Sequence, residues 1–146
     1  MRRKTKVRRA LVAVNDPEAH AAASKTLERD RYVVEAPAEW SATVAKIASE
    51  AYDVVIAEIE MPVVGGFDLL KAIRSNHPGT LVFLLGRNGS DENIRRATNL
   101  GAAGYLSMPV NEHKLSAQIK AARAAVRGLR PLKSLGIKEG RMKLAS

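Results

Sequence analysis

Five short apolar, β-branched runs alternate with longer amphipathic stretches through the middle of this chain, and that alternation leaves few folds open. The runs lie at residues 10–14, 32–36, 53–57, 80–85 and 103–106. The third is apolar after Asp53, as expected of a strand covered on both faces. The first ends at Asn15-Asp16-Pro17, where Asp16 suits a helix cap and Pro17 the first helical position. Helices are predicted from there to about residue 29, then over 41–51, 67–75, 90–100 and 111–127, the last with Leu115, Ile119, Ala122 and Val126 on one stripe. Strands alternating with helices predict an α/β protein, a parallel sheet wrapped on both faces. In such sheets sites gather at the carboxyl ends of the strands. Here that edge carries Val14-Asn15-Asp16, Glu58, Leu85-Gly86 and Ser107-Met108-Pro109.

A length of 146 residues suits one domain. The absence of cysteine removes disulfides, thiolate catalysis and Cys-ligated zinc. No apolar run approaches the roughly 20 residues that span a bilayer, and no signal peptide is legible, so a cytoplasmic location is expected. The net charge of +9 is unevenly spread. Residues 1–9 hold six basic residues and no acid, residues 10–122 eleven against fourteen acids, and residues 123–146 seven against Glu139 alone. The expected organisation is a basic arm at 1–8, a mildly acidic domain at 9–127 and a mobile basic tail at 128–146, with Gly128 and Pro131 breaking the last helix. His20, His77 and His113 show no metal-ligand spacing and are expected to face solvent. The segment Gly86 to Ser90 lacks the Gly-Lys-Ser/Thr of a phosphate loop. No nucleophile–base pair is readable, so neither enzyme activity, metal nor cofactor is expected.

Met61-Pro62 followed by Gly65-Gly66, and Gly101-Ala102 followed by Tyr105-Leu106 and Pro109, resemble the punctuation of the receiver domain of bacterial response regulators over about residues 8–127. The resemblance implies a flavodoxin-like, doubly wound sheet of five parallel strands in the order 2-1-3-4-5 with five helices. Receivers accept a phosphoryl group on an aspartate ending the third strand. An acidic pair after the first strand holds Mg²⁺, and a hydroxyl ending the fourth strand and a lysine before the proline meet the phosphoryl oxygens. Against that pattern Glu58 takes the acceptor position, Val14 and Asn15 the acidic pair with Asp16 following, Leu85 the hydroxyl and Met108 the lysine. Leucine and methionine offer a phosphoryl oxygen nothing useful. Phosphorylation by the usual route is therefore not expected.

Glutamate is longer than aspartate by about 1.5 Å, so Glu58 could imitate a modified aspartate. The favoured reading is drift, a glutamate tolerated at a wet strand end within an acidic rim of Asp16, Glu58 and Glu60. Tyr105 matches the aromatic residue that turns with activation in the family, and the bulk of Leu85 predicts it outward. Pro109 is expected to follow a cis bond on the resemblance alone. Protein partners or a second copy are expected on the face of the fourth helix, fifth strand and fifth helix, through Asn93, Arg96, Tyr105 and Lys114. The arm residues Arg2, Arg3, Lys4, Lys6, Arg8 and Arg9 would suit nucleic acid. In the tail, Leu132, Leu135, Ile137, Met142 and Leu144 suggest docking on protein. The reading is a phosphorylation-independent receiver-like module acting by protein–protein interaction in signal transduction, with no small-molecule substrate. The alternative is a nucleic-acid-binding accessory protein using its basic arms on a receiver scaffold.

Overall fold

Local signals set most of the element ends. The computed structural model describes residues 7–37, 39–61, 64–87 and 90–135, with Trp40 and residues 127–135 as backbone only. Strand β1 (Arg8–Ala13) leads to helix α1 (Pro17–Arg29). Asp16 caps that helix by accepting from the Ala19 N–H, with Pro17 at its first position. Strand β2 (Tyr32–Glu35), helix α2 (Trp40–Ser49) and strand β3 (Val54–Glu58) follow. Helix α3 (Gly66–Asn76), strand β4 (Leu81–Gly86), helix α4 (Asp91–Asn99), strand β5 (Gly104–Ser107) and helix α5 (Glu112–Leu135) complete the order. Ser90 caps α4 by accepting from the Asn93 N–H, and Asn111 receives the Lys114 N–H at the start of α5.

All pairings are parallel, and the strand order is β2-β1-β3-β4-β5. This is the doubly wound fold expected, and the registers Ala13↔Ala57 and Glu58↔Leu85 bring the ends of β1, β3 and β4 level. Alternation along the strands divides the core in two. On one face Val12, Ile56, Phe83 and Leu85 meet Leu27 of α1 and Leu115 and Ile119 of α5. On the other, Leu11, Val55, Val82 and Leu84 meet Ile47 of α2, Leu70 and Ile73 of α3 and Ala97 of α4. Each large apolar side chain so buried contributes about 1.5–3 kcal/mol.

Two boundaries differ from expectation. β1 starts at Arg8, inside the span read as an arm. α5 does not stop at Arg127 but continues through Gly128 and Pro131 to Leu135. The surrounding Ala, Leu, Arg and Lys residues favour propagation, which here outweighs the local cost of the two breakers. Residues 136–146 lie outside the described residues. Among the described residues no helix is long and apolar enough to cross a membrane.

Candidate functional site at the carboxyl edge

Glu58 ends β3 with its whole length buried, only 2% exposed. The turn after β1 makes this tolerable. Val14 points into the core, and the next two backbone N–H groups face the carboxylate. Glu58 Oε1 accepts from Asn15 N at 2.8 Å and from Asp16 N at 3.1 Å. The expectation of a wet, idle glutamate is therefore corrected: a buried carboxylate needs partners, and the backbone supplies them. Nor do the three acids form one solvated rim. Glu58 is buried, Asp16 half-buried and Glu60 exposed.

Arg87, one residue beyond β4, stands over this arrangement. Its Nη2 lies 3.3 Å from Asp16 Oδ1 and 4.0 Å from Glu58 Oε2. Asp16 Oδ2 caps α1 at 2.9 Å from Ala19 N. The Ala19 N–H, and less strongly the Arg87 guanidinium, hold the Asp16 carboxyl below its usual range. Sequence reasoning missed Arg87. The available signal was an arginine directly after the fourth strand, at the edge where sites collect.

α3 presses on the same strand end. A Cβ at Gly66 would stand 2.7 Å from the Glu58 carbonyl oxygen and 2.9 Å from Ile59 Cα, so only glycine allows this approach.

The fourth-strand position beside Tyr105 is Gly86, not Leu85. Leu85 is fully buried in the α1–α5 core, on the face opposite that aromatic ring. A Cβ at Gly86 would collide with the Tyr105 hydroxyl, which occupies the space a side chain would take. The prediction of an outward Tyr105 is thus corrected: the bulk of Leu85 is spent elsewhere, and glycine leaves room. Burial raises the Tyr105 hydroxyl above its ordinary pKa, an Asn93 hydrogen bond opposes this, and Glu60 adds to it. Met108 packs half-buried against the α1–α5 core, and the Met108–Pro109 peptide is cis.

Tyr105 and Lys114 line a shallow groove between α4, β5 and α5, with Ile94, Gly104 and Gln118 in its middle, and Asn93 hydrogen-bonds Tyr105 beside it. Arg96 leans away, its guanidinium 4.3 Å from the centre of the Phe67 ring on α3.

Of the expected arm, Arg2, Arg3, Lys4 and Lys6 lie outside the described residues. Arg8 is exposed, whereas Arg9 is not available to a ligand. Arg9 donates to Glu35 at 2.6 Å and to Glu50, and it stacks 4.7 Å over the Tyr52 ring. Its place inside β1 beside β2 brings these carboxylates within reach. His113 is exposed as expected, but His20 and His77 are half-buried.

A family model for the response regulator receiver domain matches residues 10–120. The transcriptional regulatory protein TcrA of Mycobacterium tuberculosis is 26% identical over 113 residues, 77% of this chain and 45% of that protein. The transcriptional regulatory protein CpxR of Escherichia coli is 33% identical over 75 residues, 51% of this chain and 32% of that protein. The chain thus matches less than half the length of each. Among solved structures, the chemotaxis response regulator CheY4 of Vibrio cholerae superposes with a TM-score of 0.70 at 28% identity, over 80% of this chain and 99% of that one. A CheY-like receiver domain from Methanospirillum hungatei superposes with a TM-score of 0.70 at 28% identity, over 80% of this chain and 93% of that one. With its sheet order and three-quarters of its length matched in this way, the chain belongs to the response regulator receiver domain family.

Proposed function

We propose that this receiver works without phosphorylation, as a non-enzymatic cytoplasmic module that signals by binding protein partners. One observation carries the reading: the Glu58 carboxylate is buried and already bonded to the backbone of the β1–α1 turn. Phosphoryl transfer is mostly positioning and charge neutralisation. An acceptor carboxylate must be free to attack, and its product needs a metal ion and donors around three oxygens. Glu58 is tied down, and Gly86 and Met108 offer neither hydroxyl nor ammonium.

The residues present do not suit the family's magnesium ion either. A hard cation needs several oxygen ligands. Val14 is turned into the core, Asp16 is engaged by the helix cap and Arg87, and Glu58 by two N–H groups. Arg87 supplies one positive charge, and it is aimed at carboxylates this chain already carries.

In place of a switch, Glu58 acts as a permanent tie between β1, β3 and β4, fixing the mouth in one arrangement. Partners would then read a constant surface. The groove between α4, β5 and α5 is the proposed docking face, with Asn93, Tyr105 and Lys114 as its polar contacts. TcrA and CpxR are transcriptional regulatory proteins, which favours an output in gene regulation. Incubation with acetyl phosphate, or with beryllofluoride and Mg²⁺, tests the proposal. Unchanged intact mass and unchanged amide NMR shifts around Glu58 are expected, and stoichiometric adduct formation would overturn it.

A further inference from the structure

We infer that the amino edge of the sheet, the pole opposite Glu58, carries a binding site for the phosphate backbone of duplex nucleic acid, centred on Arg8, Arg31 and Arg123. The chain brings these three together from β1, from the turn after α1 and from α5, around a cleft of about 620 Å³. The ion pairs seen among the described residues involve none of the three, and Arg123 stands 6.0 Å over the Tyr32 ring. The two acids beside them are engaged. Asp53 accepts the Arg9 backbone N–H, and Asp30 accepts from Ser116 Oγ at 2.8 Å with Lys120 at 3.9 Å.

Arg31 adds a backbone argument. Its φ is 73°, in the left-handed region that favours glycine after a helix C-cap. A glycine there would be conformationally easier, and the chain instead sets an exposed guanidinium at the cleft.

Topology then gathers charge. A helix following β5 must run back along the sheet, so α5 ends at the edge where β1 begins. Arg8 at the start of β1 and Arg123 on α5, far apart in sequence, therefore meet at one pole. Among the cleft's cations all are arginine, whose planar fork matches phosphate oxygens in pairs. Tyr32 beneath them is buried, so among the described residues no exposed aromatic platform favours single strands. The exposed large apolar groups lining the cleft are two valines, Val7 and Val33, too little for insertion into a bilayer. The inference is independent of how Glu58 behaves.

The test is fluorescence anisotropy of a labelled 20-base-pair duplex with the full chain over a salt series, beside anionic and neutral vesicles. Binding that weakens steeply with salt is expected. The combined Arg8→Ala, Arg31→Gly, Arg123→Ala variant should lower the log–log salt slope by about 2–3, one phosphate contact per arginine. Arg31→Gly alone should weaken binding a few-fold while raising the melting temperature, which separates loss of a ligand contact from loss of fold. Failure of the duplex to bind at low salt would overturn the inference. So would an unaltered affinity and slope in the two variants, or binding to anionic vesicles alone.

Discussion

The Glu58 carboxylate satisfies two backbone N–H groups that an apolar side chain would leave unmet. Removing it exposes the full desolvation cost of those donors, about 1–3 kcal/mol. Glu58→Ala should lower the urea unfolding free energy by about 2 kcal/mol. Glu58→Gln keeps a carbonyl oxygen for both donors and loses only a screened attraction to Arg87, so its cost should stay below about 1 kcal/mol. Equal losses in both variants would mean that charge, not backbone bonding, holds the mouth. Arg9 supports a second prediction. Its guanidinium is the main reason that the Glu35 carboxyl sits at about 2 instead of 4.5, with the Tyr52 hydroxyl and Lys46 assisting. In the window between those values the folded state binds fewer protons than the unfolded chain, so acid favours unfolding there. The contribution is complete above about pH 4.5 and is lost as pH falls through about 2. Arg9→Gln should therefore cost about 1 kcal/mol at neutral pH, a modest figure because the pair is partly solvated. That deficit should shrink on titration below pH 4.5, as read from urea midpoints across the acid range.

Element order was legible because each apolar run and each amphipathic stretch carries its own period. The strand order was not contained in those periods and came from the resemblance. Within the site, errors follow from what a sequence does not encode. Taking Leu85 instead of Gly86 is a slip of one residue, and in a strand that moves a side chain to the other face. The burial of Glu58 was hidden because its donors are backbone N–H groups, which every residue but proline has. Arg87 was passed over because its carboxylate partners lie far off in sequence, Asp16 being 71 positions away. Gly86 now gives a prediction at this scale. Gly86→Ala meets the far end of a flexible side chain, so Tyr105 should yield by turning outward instead of unfolding the strand. Its hydroxyl should then titrate nearer its ordinary value, since burial is what raises it. Phenol ionisation followed by NMR at Tyr105 reads this directly. Gly66→Ala is the contrasting case, because its new Cβ meets the backbone of Glu58 and Ile59, which cannot step aside. It should cost about 1–3 kcal/mol and loosen α3 from β3.

The whole molecule divides its charges between the two ends of the sheet and its core between the two faces. At the carboxyl edge, charges are tied to one another through Glu58, Asp16 and Arg87. At the amino edge, arginines converge outside the ion pairs seen among the described residues. α5 links the two poles, and among its described side chains those of the first half belong to the core. Leu115 and Ile119 are buried and Ala122 is packed against them, whereas Val126 is 47% exposed. Stability follows buried apolar area, and among the described side chains of α5 the buried ones end near Ala122, while the backbone of the helix continues to Leu135. Ending the chain after Arg127 should therefore shift the unfolding free energy by no more than about 0.5 kcal/mol. The same truncation removes five basic residues and Glu139. Less mutual repulsion within a chain of net positive charge would offset part of any lost helix contacts, and this offset should fade as added salt screens the charges. Urea melts of the truncated and full chains, compared at low and high salt, check both points. A loss of several kcal/mol would show that the end of α5 packs on the domain and shares its core.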